Sequence, residues 1–520
     1  MSAQQKKLLE KQLWAVANLL RGKMNADSYK DYILGFIFYK FLSEKQEKYA
    51  DDILKGDNIK FIKLDEDNEL LKDIEERSLE SLGYFIKPKQ LFSFIVAKGN
   101  KELGDDDSIL DDLKDILQDI EGSTKERESE EDFAGLFEDM DLDSSKLGKT
   151  YNARNKVIVE VLTKLSEIDF AIEDSNSDVL GDAYEYMIAN FAEGAGKKAG
   201  EFYTPQQISE LISRIVTHNK KRIKAVYDPT CGSGSLLLRI GKKIKVNDYY
   251  GQENNPSTYN LARMNMLLHD VHFRDFDIRH GDTLTDDQLP DLRADAVVAN
   301  PPFSLEWKGK DDANILEDER FSEYGEVAPK NKADFAFVTH MLYHLADDGT
   351  LAVVLPHGVL FRSGAEGKIR KHIIENKNYL DAVIGLPSNL FFGVSIPAIV
   401  AVFKKDRSPS DSVLLIDASK EFEKGKNQNI LTDQNLQKIF ETYISRKEVE
   451  KYSHNADLAE IKENDFNLNI PRYVDTFEEE EQIDIEQVAK ELQKLQKDEK
   501  GVKENIAGFC EELGIDKPFE

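Results

Sequence analysis

Cysteine is scarce in this chain, and long apolar runs are missing. Cys231 and Cys510 are the only thiols among 520 residues, too few for a disulfide framework or a zinc site. No apolar stretch approaches the roughly 20 residues that a membrane helix needs. Residues 1–8 lack the apolar core and small-residue cleavage site of a signal peptide. The sequence therefore predicts a globular protein of the cytoplasm that does not contact a membrane.

Basic residues are also in short supply. The chain has 69 lysines and arginines against 98 aspartates and glutamates, a net charge of −29. Residues 105–143 hold 17 acidic and 3 basic residues, about half of that excess. The run 122–131 within them is predicted to be a mobile, solvated loop. Because phosphate neutralisation needs lysine and arginine, we expect this chain alone to bind nucleic acid weakly.

The hydrophobic pattern changes near residue 224. Upstream, apolar residues recur at helical spacing, so residues 1–155 are predicted to form a helical domain. Within residues 156–475, short apolar segments alternate with helical segments from about residue 224 onward. This alternation predicts a mostly parallel, doubly wound α/β sheet. The last two strands are expected to be antiparallel at one end of the sheet, and residues 476–520 to form a helical tail. The predicted strands are 225–228, 249–253, 277–281, 294–299, 351–355, 382–386 and 398–403.

The run Asn300-Pro301-Pro302-Phe303 follows the fourth predicted strand. Two prolines cannot continue a sheet ladder, so Asn300 is left at the carboxyl end of the strand, where open α/β sheets bind ligands. The Asn300 amide oxygen and the Pro301 carbonyl can accept hydrogen bonds from an exocyclic amine. This turns the amine lone pair toward an electrophilic methyl group, while Phe303 can stack on a base. The alternative is a loop whose prolines end the strand and whose phenylalanine packs in the core.

A glycine-rich loop follows the first predicted strand and opens a helix. A phosphate-binding P-loop is disfavoured because no Gly-Lys-Ser/Thr follows, and Leu237 occupies the place of the third glycine of a dinucleotide fingerprint. S-adenosylmethionine carries no pyrophosphate and is the third interpretation, with Asp228 meeting the cationic end of its amino acid. The loop reads Asp228-Pro229-Thr230-Cys231-Gly232-Ser233-Gly234-Ser235.

Acidic residues also end the second and third predicted strands. Glu253 stands where an acid can accept hydrogen bonds from both ribose hydroxyls, and Asp282 would reach an adenine amino group. Each acid alone is more often an ordinary strand-end or capping residue. An acid after each of the first three strands, with Asn300 after the fourth, favours a cofactor pocket beside a methyl-acceptor site.

These motifs, in this order, resemble the amino-methylating DNA methyltransferases. Upstream of the first strand, a short segment resembles the one that this family places over the methionine end of the cofactor. Residues 13–18, 32–35 and 178–186 resemble the modification subunit of type I restriction–modification systems, and the likeness covers about residues 8–475. The upstream segment is Glu201-Phe202-Tyr203-Thr204-Pro205-Gln206.

The resemblance implies a Rossmann-like, S-adenosylmethionine-dependent methyltransferase domain that methylates N6 of adenine in DNA. It also implies a complex, in which a specificity subunit reads the DNA and two copies of this chain surround it. A nuclease-translocase subunit can join. At the carboxyl terminus, apolar residues spaced 3, 4 and 3 apart form a seam that could pair with a partner helix or pack on the chain itself. The seam residues are Ile485, Val488, Leu492 and Leu495.

Other interpretations stay open. Methylation of a glutamine side-chain amide in a protein would use the same acceptor geometry. The enzymes that carry it out are usually shorter, however, and their motif at this place resembles Asn-Pro-Pro-Tyr. The sequence is also compatible with a cofactor-binding scaffold that catalyses no reaction. It is compatible with methylation of the cytosine amino group as well, although asparagine at position 300 favours adenine. Direct transfer to nitrogen requires no metal, and His269, His272 and His280 are too loosely spaced to suggest one. Cys231 is expected to be a small loop residue rather than a nucleophile.

Overall fold

The structure is a computed structural model, and it describes residues 3–21, 23–24, 26–99, 109–170, 179–195, 204–391, 396–425, 428–475 and 485–519. The chain forms two compact units, Met1–Val474 and Asp475–Glu520. Three residues of the predicted cofactor segment, Glu201, Phe202 and Tyr203, lie outside the described ranges. No helix in those ranges combines the length and the apolar character that crossing a bilayer requires.

The first part of the larger unit is helical, as predicted. The second helix shows why: Tyr32, Phe36, Tyr39 and Leu42 recur every three or four residues, and all four are buried. The helices of this region are α1 (Ala3–Arg21), α2 (Ala26–Leu54), α3 (Glu69–Ser81), α4 (Phe92–Gly99), α5 (Ile109–Ser123), α6 (Glu130–Phe133), α7 (Tyr151–Ser166) and α8 (Val179–Ala195).

A nine-stranded sheet forms the centre of the rest of this unit, and all seven predicted strands belong to it. Its order is β11-β8-β6-β7-β5-β4-β1-β2-β3, and neighbours are parallel except where β7 or β11 takes part. The strands, with the separate β9–β10 hairpin, are β1 (Ile223–Asp228), β2 (Val246–Glu253), β3 (Phe276–His280), β4 (Ala294–Ala299), β5 (Leu345–Pro356), β6 (Leu380–Gly385), β7 (Ala398–Lys404), β8 (Val413–Asp417), β9 (Glu423–Lys424), β10 (Asn429–Ile430) and β11 (Ser453–Ala456).

The antiparallel strand β7 lies inside the sheet, between β5 and β6, so its predicted place at one end is wrong. Residues 398–403 are all buried, as expected for a strand that is covered on both faces. The edge is formed instead by β11, which pairs with β8. Neither β8 nor β11 is among the predicted strands, and β11 reads Ser-His-Asn-Ala, without apolar alternation.

Helices cover both faces of the sheet. Successive side chains of a strand point to opposite faces, so Val226 belongs to one apolar core and Tyr227 to the other. The core that contains Val226 also takes in the N-terminal helices. The remaining helices of the larger unit are α9 (Gln206–Thr217), α10 (Ser235–Gly241), α11 (Pro256–Leu268), α12 (Ala313–Glu317), α13 (Glu319–Ser322), α14 (Asp334–His344), α15 (Ala365–Lys371), α16 (Asp433–Ser445) and α17 (Leu458–Glu463), and the smaller unit contains α18 (Ile485–Leu513).

Part of the acidic segment packs against the sheet domain. The buried guanidinium of Arg263 in α11 donates to the Glu131 carbonyl at 2.7 Å, and Arg279 of β3 pairs with the Glu131 carboxylate at 2.6 Å. Arg274 pairs with Glu128 at 2.7 Å. The charged side chains of residues 122–131 are exposed, as predicted for a solvated surface. The hydrogen bond to Arg263 and the two ion pairs also make this segment a contact between the helical region and the sheet.

Candidate active site

Four parallel strands end side by side at one edge of the sheet. β1 lies between β4 and β2, and β3 follows β2. Because parallel strands end at the same edge, the residues that close or follow them are brought together. These residues are Asp228, Glu253, Asp282 and Asn300.

Two glycines shape the loop after β1. Gly232 and Gly234 have φ values of 55° and 75°, which residues with a Cβ rarely adopt. A Cβ on Gly234 would also come within 3.0 Å of Met266 Cε. Ser233 lies between the two glycines and Ser235 follows them. Their hydroxyls are 2.9 Å apart where the loop enters α10. The loop thus presents mainly backbone at the carboxyl edge.

Asp228 is a buried carboxyl group at the start of this loop. Its Oδ1 accepts the backbone N–H of Thr230 at 2.9 Å. Burial raises the pKa of Asp228 to about 8, and the nearby charge of Glu253 adds to this, while the Thr230 hydrogen bonds oppose it. At neutral pH this carboxyl group is protonated, and an ammonium group placed beside it would favour the ionised form.

Glu253 is tied to the loops on both sides of it. Its Oε2 accepts the N–H of Gly232 at 3.0 Å, and its Oε1 accepts the N–H of Asn255 at 2.8 Å. Burial raises the pKa of Glu253, and these backbone hydrogen bonds counteract part of the effect. A carboxylate oxygen can accept more than one hydrogen bond, so both oxygens retain capacity for hydroxyl donors.

Asp282 lies half-buried in the loop after β3. Its Oδ1 accepts the N–H of Leu284 at 3.0 Å. The neighbouring Thr283 fastens this loop to the loop after β1, because its hydroxyl donates to the Pro229 carbonyl at 2.5 Å. The two loops that carry Asp228 and Asp282 therefore hold each other in place.

Asn300 follows β4 with its side chain half-buried. Within the described ranges, its amide forms no hydrogen bond to another protein group. Pro301 is buried and Pro302 is half-buried, so the strand ends in a stiff turn. The Phe303 ring centroid lies 6.0 Å from that of Phe391 with an interplanar angle of 68°. Phe303 thus packs partly on the core, and the remainder of its side chain is exposed.

Asp334 and Arg362 hold the end of this turn, and neither is among the predicted site residues. Asp334, almost wholly buried at the start of α14, accepts the N–H of Ser304 at 2.9 Å. Ser304 has φ 52°, a strained conformation for a residue with a Cβ. Arg362 donates to the second oxygen of Asp334 at 2.6 Å and also pairs with Glu366. Asp334 is 30 positions from Ser304, so no local spacing rule could reveal the contact.

The remaining predicted cofactor residues are less informative. Thr204 and Pro205 precede α9, which begins at Gln206, and the Pro205 carbonyl accepts the N–H of Ile208 at 2.9 Å. Cys231 is buried, and burial raises the pKa of its thiol well above its usual range. A thiol in that state is a poor nucleophile, which fits the expected packing role.

The sheet order and the acid-lined carboxyl edge define a Rossmann-like fold of the S-adenosylmethionine-dependent methyltransferases. Residues 175–482 match the family described as N-6 DNA Methylase, and residues 9–165 match the HsdM N-terminal domain. The chain belongs to the N-6 DNA methylases and, within them, to the methylase subunits of type I restriction enzymes.

Similar proteins support this membership along nearly the whole chain. The type I restriction enzyme MpnII methylase subunit of Mycoplasma pneumoniae is 38% identical over 99% of this chain and 97% of its own. The MjaVIII methylase subunit of Methanocaldococcus jannaschii is 32% identical over 96% and 83%. A crystal structure of the type I restriction-modification methyltransferase subunit from Streptococcus thermophilus is 42% identical, with a TM-score of 0.82 over 90% and 99%. These relatives confirm the predicted family and do not favour a glutamine methyltransferase or a scaffold without turnover.

Proposed function

We propose that this protein transfers the methyl group of S-adenosyl-L-methionine to N6 of an adenine that has flipped out of DNA. The observation that carries the proposal is the position of Asn300, next to a strand edge that bears Asp228, Glu253 and Asp282. The target base has to leave the duplex, because its amino group cannot meet a methyl donor while it is stacked.

The residues at this edge fit the cofactor in chemical type. Asp228 would receive its ammonium group, Glu253 its two ribose hydroxyls and Asp282 its adenine amino group. The glycine-rich loop would let the backbone approach closely. The segment 201–206 would lie over the methionine end of the cofactor.

Asn300 and Pro301 would hold the target amine. The Asn300 Oδ1 and the Pro301 carbonyl accept its two N–H groups, which turns the nitrogen lone pair out of the plane of the base. Phe303 stacks on that base. When bound, S-adenosylmethionine supplies the methyl group: its S–C bond breaks with the electron pair passing to sulfur as the N–C bond forms, and the amine releases one proton to water. The contribution of the protein to the rate is mainly the alignment of these groups.

We further propose that the chain works in the cytoplasm within a complex. Two copies would bind one DNA-specificity subunit on DNA, and a nuclease-translocase subunit can join them. The net charge of −29 supports a division of labour, since a chain so rich in acids cannot neutralise many phosphates alone.

Helix α18 of the smaller unit provides a surface for assembly. Leu492 and Leu495 are 56% and 64% exposed, and Val502 and Phe509 continue the same series with 56% and 63% exposed. Apolar residues that alternate at three and four positions form a coiled-coil seam. We therefore propose that α18 contacts the specificity subunit. We also propose that the chain has three functional divisions, residues 1–155, 156–475 and 476–520.

The test is single-molecule sequencing of genomic DNA from cells with and without this gene, scored for N6-methyladenine. The expected result is loss of methylation at one split, two-part motif when the gene is deleted. The purified complex with its specificity subunit is then given radiolabelled S-adenosylmethionine and DNA that carries the motif. Label on cytosine or on protein, or no label at all, would overturn the proposal.

A further inference from the structure

A buried polar network lies behind the site, between β1, α13 and α14. Tyr227, His340 and His344 are fully buried, and Arg320 is 7% exposed. His340 Nδ1 lies 3.0 Å from a guanidinium nitrogen of Arg320, and His340 Nε2 lies 2.9 Å from the Tyr227 hydroxyl. Burying polar groups costs folding free energy unless they form hydrogen bonds. We therefore expect a buried network of this size to have a specific role.

The direction of these hydrogen bonds follows from the arginine. A guanidinium only donates, so Nδ1 of His340 accepts and its proton sits on Nε2, which donates to the Tyr227 oxygen. Burial lowers the pKa of His340 well below its usual value, and the neighbouring His344 and Arg320 charges act in the same direction. His340 is therefore a neutral link between Arg320 and Tyr227.

The neighbouring His344 and Asp287 complete the network. His344 Nε2 lies 3.0 Å from an oxygen of the Asp287 carboxyl group, and its Nδ1 lies 3.1 Å from the Leu292 carbonyl oxygen. Asp287, His340 and His344 have ligand atoms close enough together for a metal ion. All four ring nitrogens already have protein partners, however, and the Arg320 cation adjoins them. The cluster is thus better explained as a hydrogen-bonded support.

Arg320 is where this support reaches the site. Its guanidinium donates to the carbonyls of Thr283 and Leu284 at 2.8 and 3.3 Å. Asp318 fixes its orientation by accepting from Nε at 2.9 Å and from Nη2 at 2.6 Å. The Leu284 N–H donates to Asp282 Oδ1. The arginine thus fixes the backbone turn that aims the Asp282 carboxylate.

We propose that Arg320 is a positioning residue for recognition of the cofactor adenine. By holding the carbonyls of Thr283 and Leu284, it keeps Asp282 aimed so that its second oxygen accepts a hydrogen bond from the adenine amino group. His340 and Tyr227 fix the arginine from behind. This inference rests on the proposed function, because it assumes that Asp282 meets that amino group.

The test compares two ligands by calorimetry on the full-length protein. S-adenosyl-L-homocysteine carries the amino group, whereas S-inosyl-L-homocysteine has a carbonyl in its place and cannot donate to Asp282. We expect wild type to prefer the adenosyl ligand. Arg320→Gln should raise the Kd of the adenosyl ligand about tenfold and change the Kd of the inosyl ligand little, so that the preference falls.

Arg407→Gln is the matched control. The side chain of Arg407 is only 3% exposed, pairs with Asp381 and donates to the carbonyls of Asn378 and Ser412, but at the opposite end of β6 from the site. It should lower the unfolding temperature and leave the ligand preference unchanged. An Arg320→Gln protein that loses only thermal stability and keeps the wild-type preference would overturn the inference.

If Arg320→Gln does not fold, variants of His340 provide a second test of the inference. Gln at this position can accept from Arg320 and donate to Tyr227, so His340→Gln should keep the preference, whereas His340→Leu should reduce it. Equal preference in these two variants would contradict the inference. If wild type bound neither ligand, the proposed cofactor itself would be wrong, which is a different result from intact binding without an effect of Arg320.

Discussion

The buried carboxylate of Asp334 accepts the backbone N–H of Ser304, 2.9 Å away, directly after the Asn300–Phe303 turn. Ser304 has a positive φ, and Arg362 holds the carboxylate from its other side. The conformation of the turn therefore depends on a residue from α14. A misplacement of about 1 Å in such a turn can reduce a reaction rate about a hundredfold.

Asp334→Ala should slow methyl transfer in a single turnover by about 10- to 100-fold and leave the Kd for S-adenosyl-L-homocysteine unchanged. Asp334→Asn should fall between this variant and wild type, because an amide oxygen can still accept from Ser304 but no longer pairs with Arg362 as an anion. The rate is measured by quenched-flow methylation of a DNA oligonucleotide in the assembled complex. A wild-type rate in Asp334→Ala would show that the turn is stable without this carboxylate.

Asn300→Ala should abolish transfer and spare cofactor binding. The variant removes the amide oxygen that accepts the target amine, and the half-buried side chain supports no hydrogen bond within the described part of the chain. Methyl incorporation and calorimetry with S-adenosyl-L-homocysteine separate the two effects. Asn152→Ala, on the exposed face of α7, is the control and should match wild type in both. Full methylation by Asn300→Ala would refute the role assigned to Asn300.

Asp228→Asn should change the pH dependence of stability. The folded pKa of about 8 lies above the unfolded value of about 3.9. Stability associated with this group is therefore complete below about pH 4 and is lost as the pH rises toward 8. The asparagine oxygen can still accept from Thr230 but does not ionise. Without cofactor, the variant should unfold at a higher temperature than wild type at pH 8, by a margin that shrinks at pH 5.

Thermal unfolding at the two pH values checks this expectation, and calorimetry adds a second readout. Asp228→Asn should bind S-adenosyl-L-homocysteine at least about tenfold more weakly, since the ammonium group loses its anionic partner. An equal stability difference at pH 5 and pH 8 would mean that Asp228 does not titrate in this range.

Arg263→Met should destabilise the larger unit by about 2–4 kcal/mol, because Arg263 is buried, donates to Glu131 and stacks on Tyr259. Arg274→Met is the matched control, since its ion pair with Glu128 is exposed and contributes less than about 1 kcal/mol. Urea denaturation measures both. Equal effects in the two variants would show that the acidic segment is held by surface charge alone.

Replacing Leu492 and Leu495 together by Asp should weaken binding to the specificity subunit by about tenfold or more, because charges are disfavoured in a coiled-coil seam. Cofactor binding, a property of the larger unit, should not change. Gln493→Asp, at an exposed position between the two leucines, is the control. Co-purification and analytical ultracentrifugation would reveal the loss, and an intact complex with the double variant would exclude α18 as the contact.

Much of the fold could be predicted because its signals are local. Buried parallel strands appear as short apolar runs, and β4 matches the predicted range 294–299. The position of β7 could not be read in this way, because an apolar run shows that a strand is buried but not which strands lie beside it. β11 could not be predicted because a short edge strand needs little apolar surface.

Local signals in the sequence predict the order of strands and helices, the glycine-rich loop after β1 and the residues at the strand ends. These follow from side-chain period, backbone freedom and the inability of proline to continue a strand. Three contacts depend instead on how the whole chain folds: Asp334 accepts from Ser304, Arg320 donates to the Asp282 loop, and Arg263 donates to the acidic segment. Each contact joins residues dozens of positions apart, and chain folding rather than local spacing brings such partners within hydrogen-bond distance.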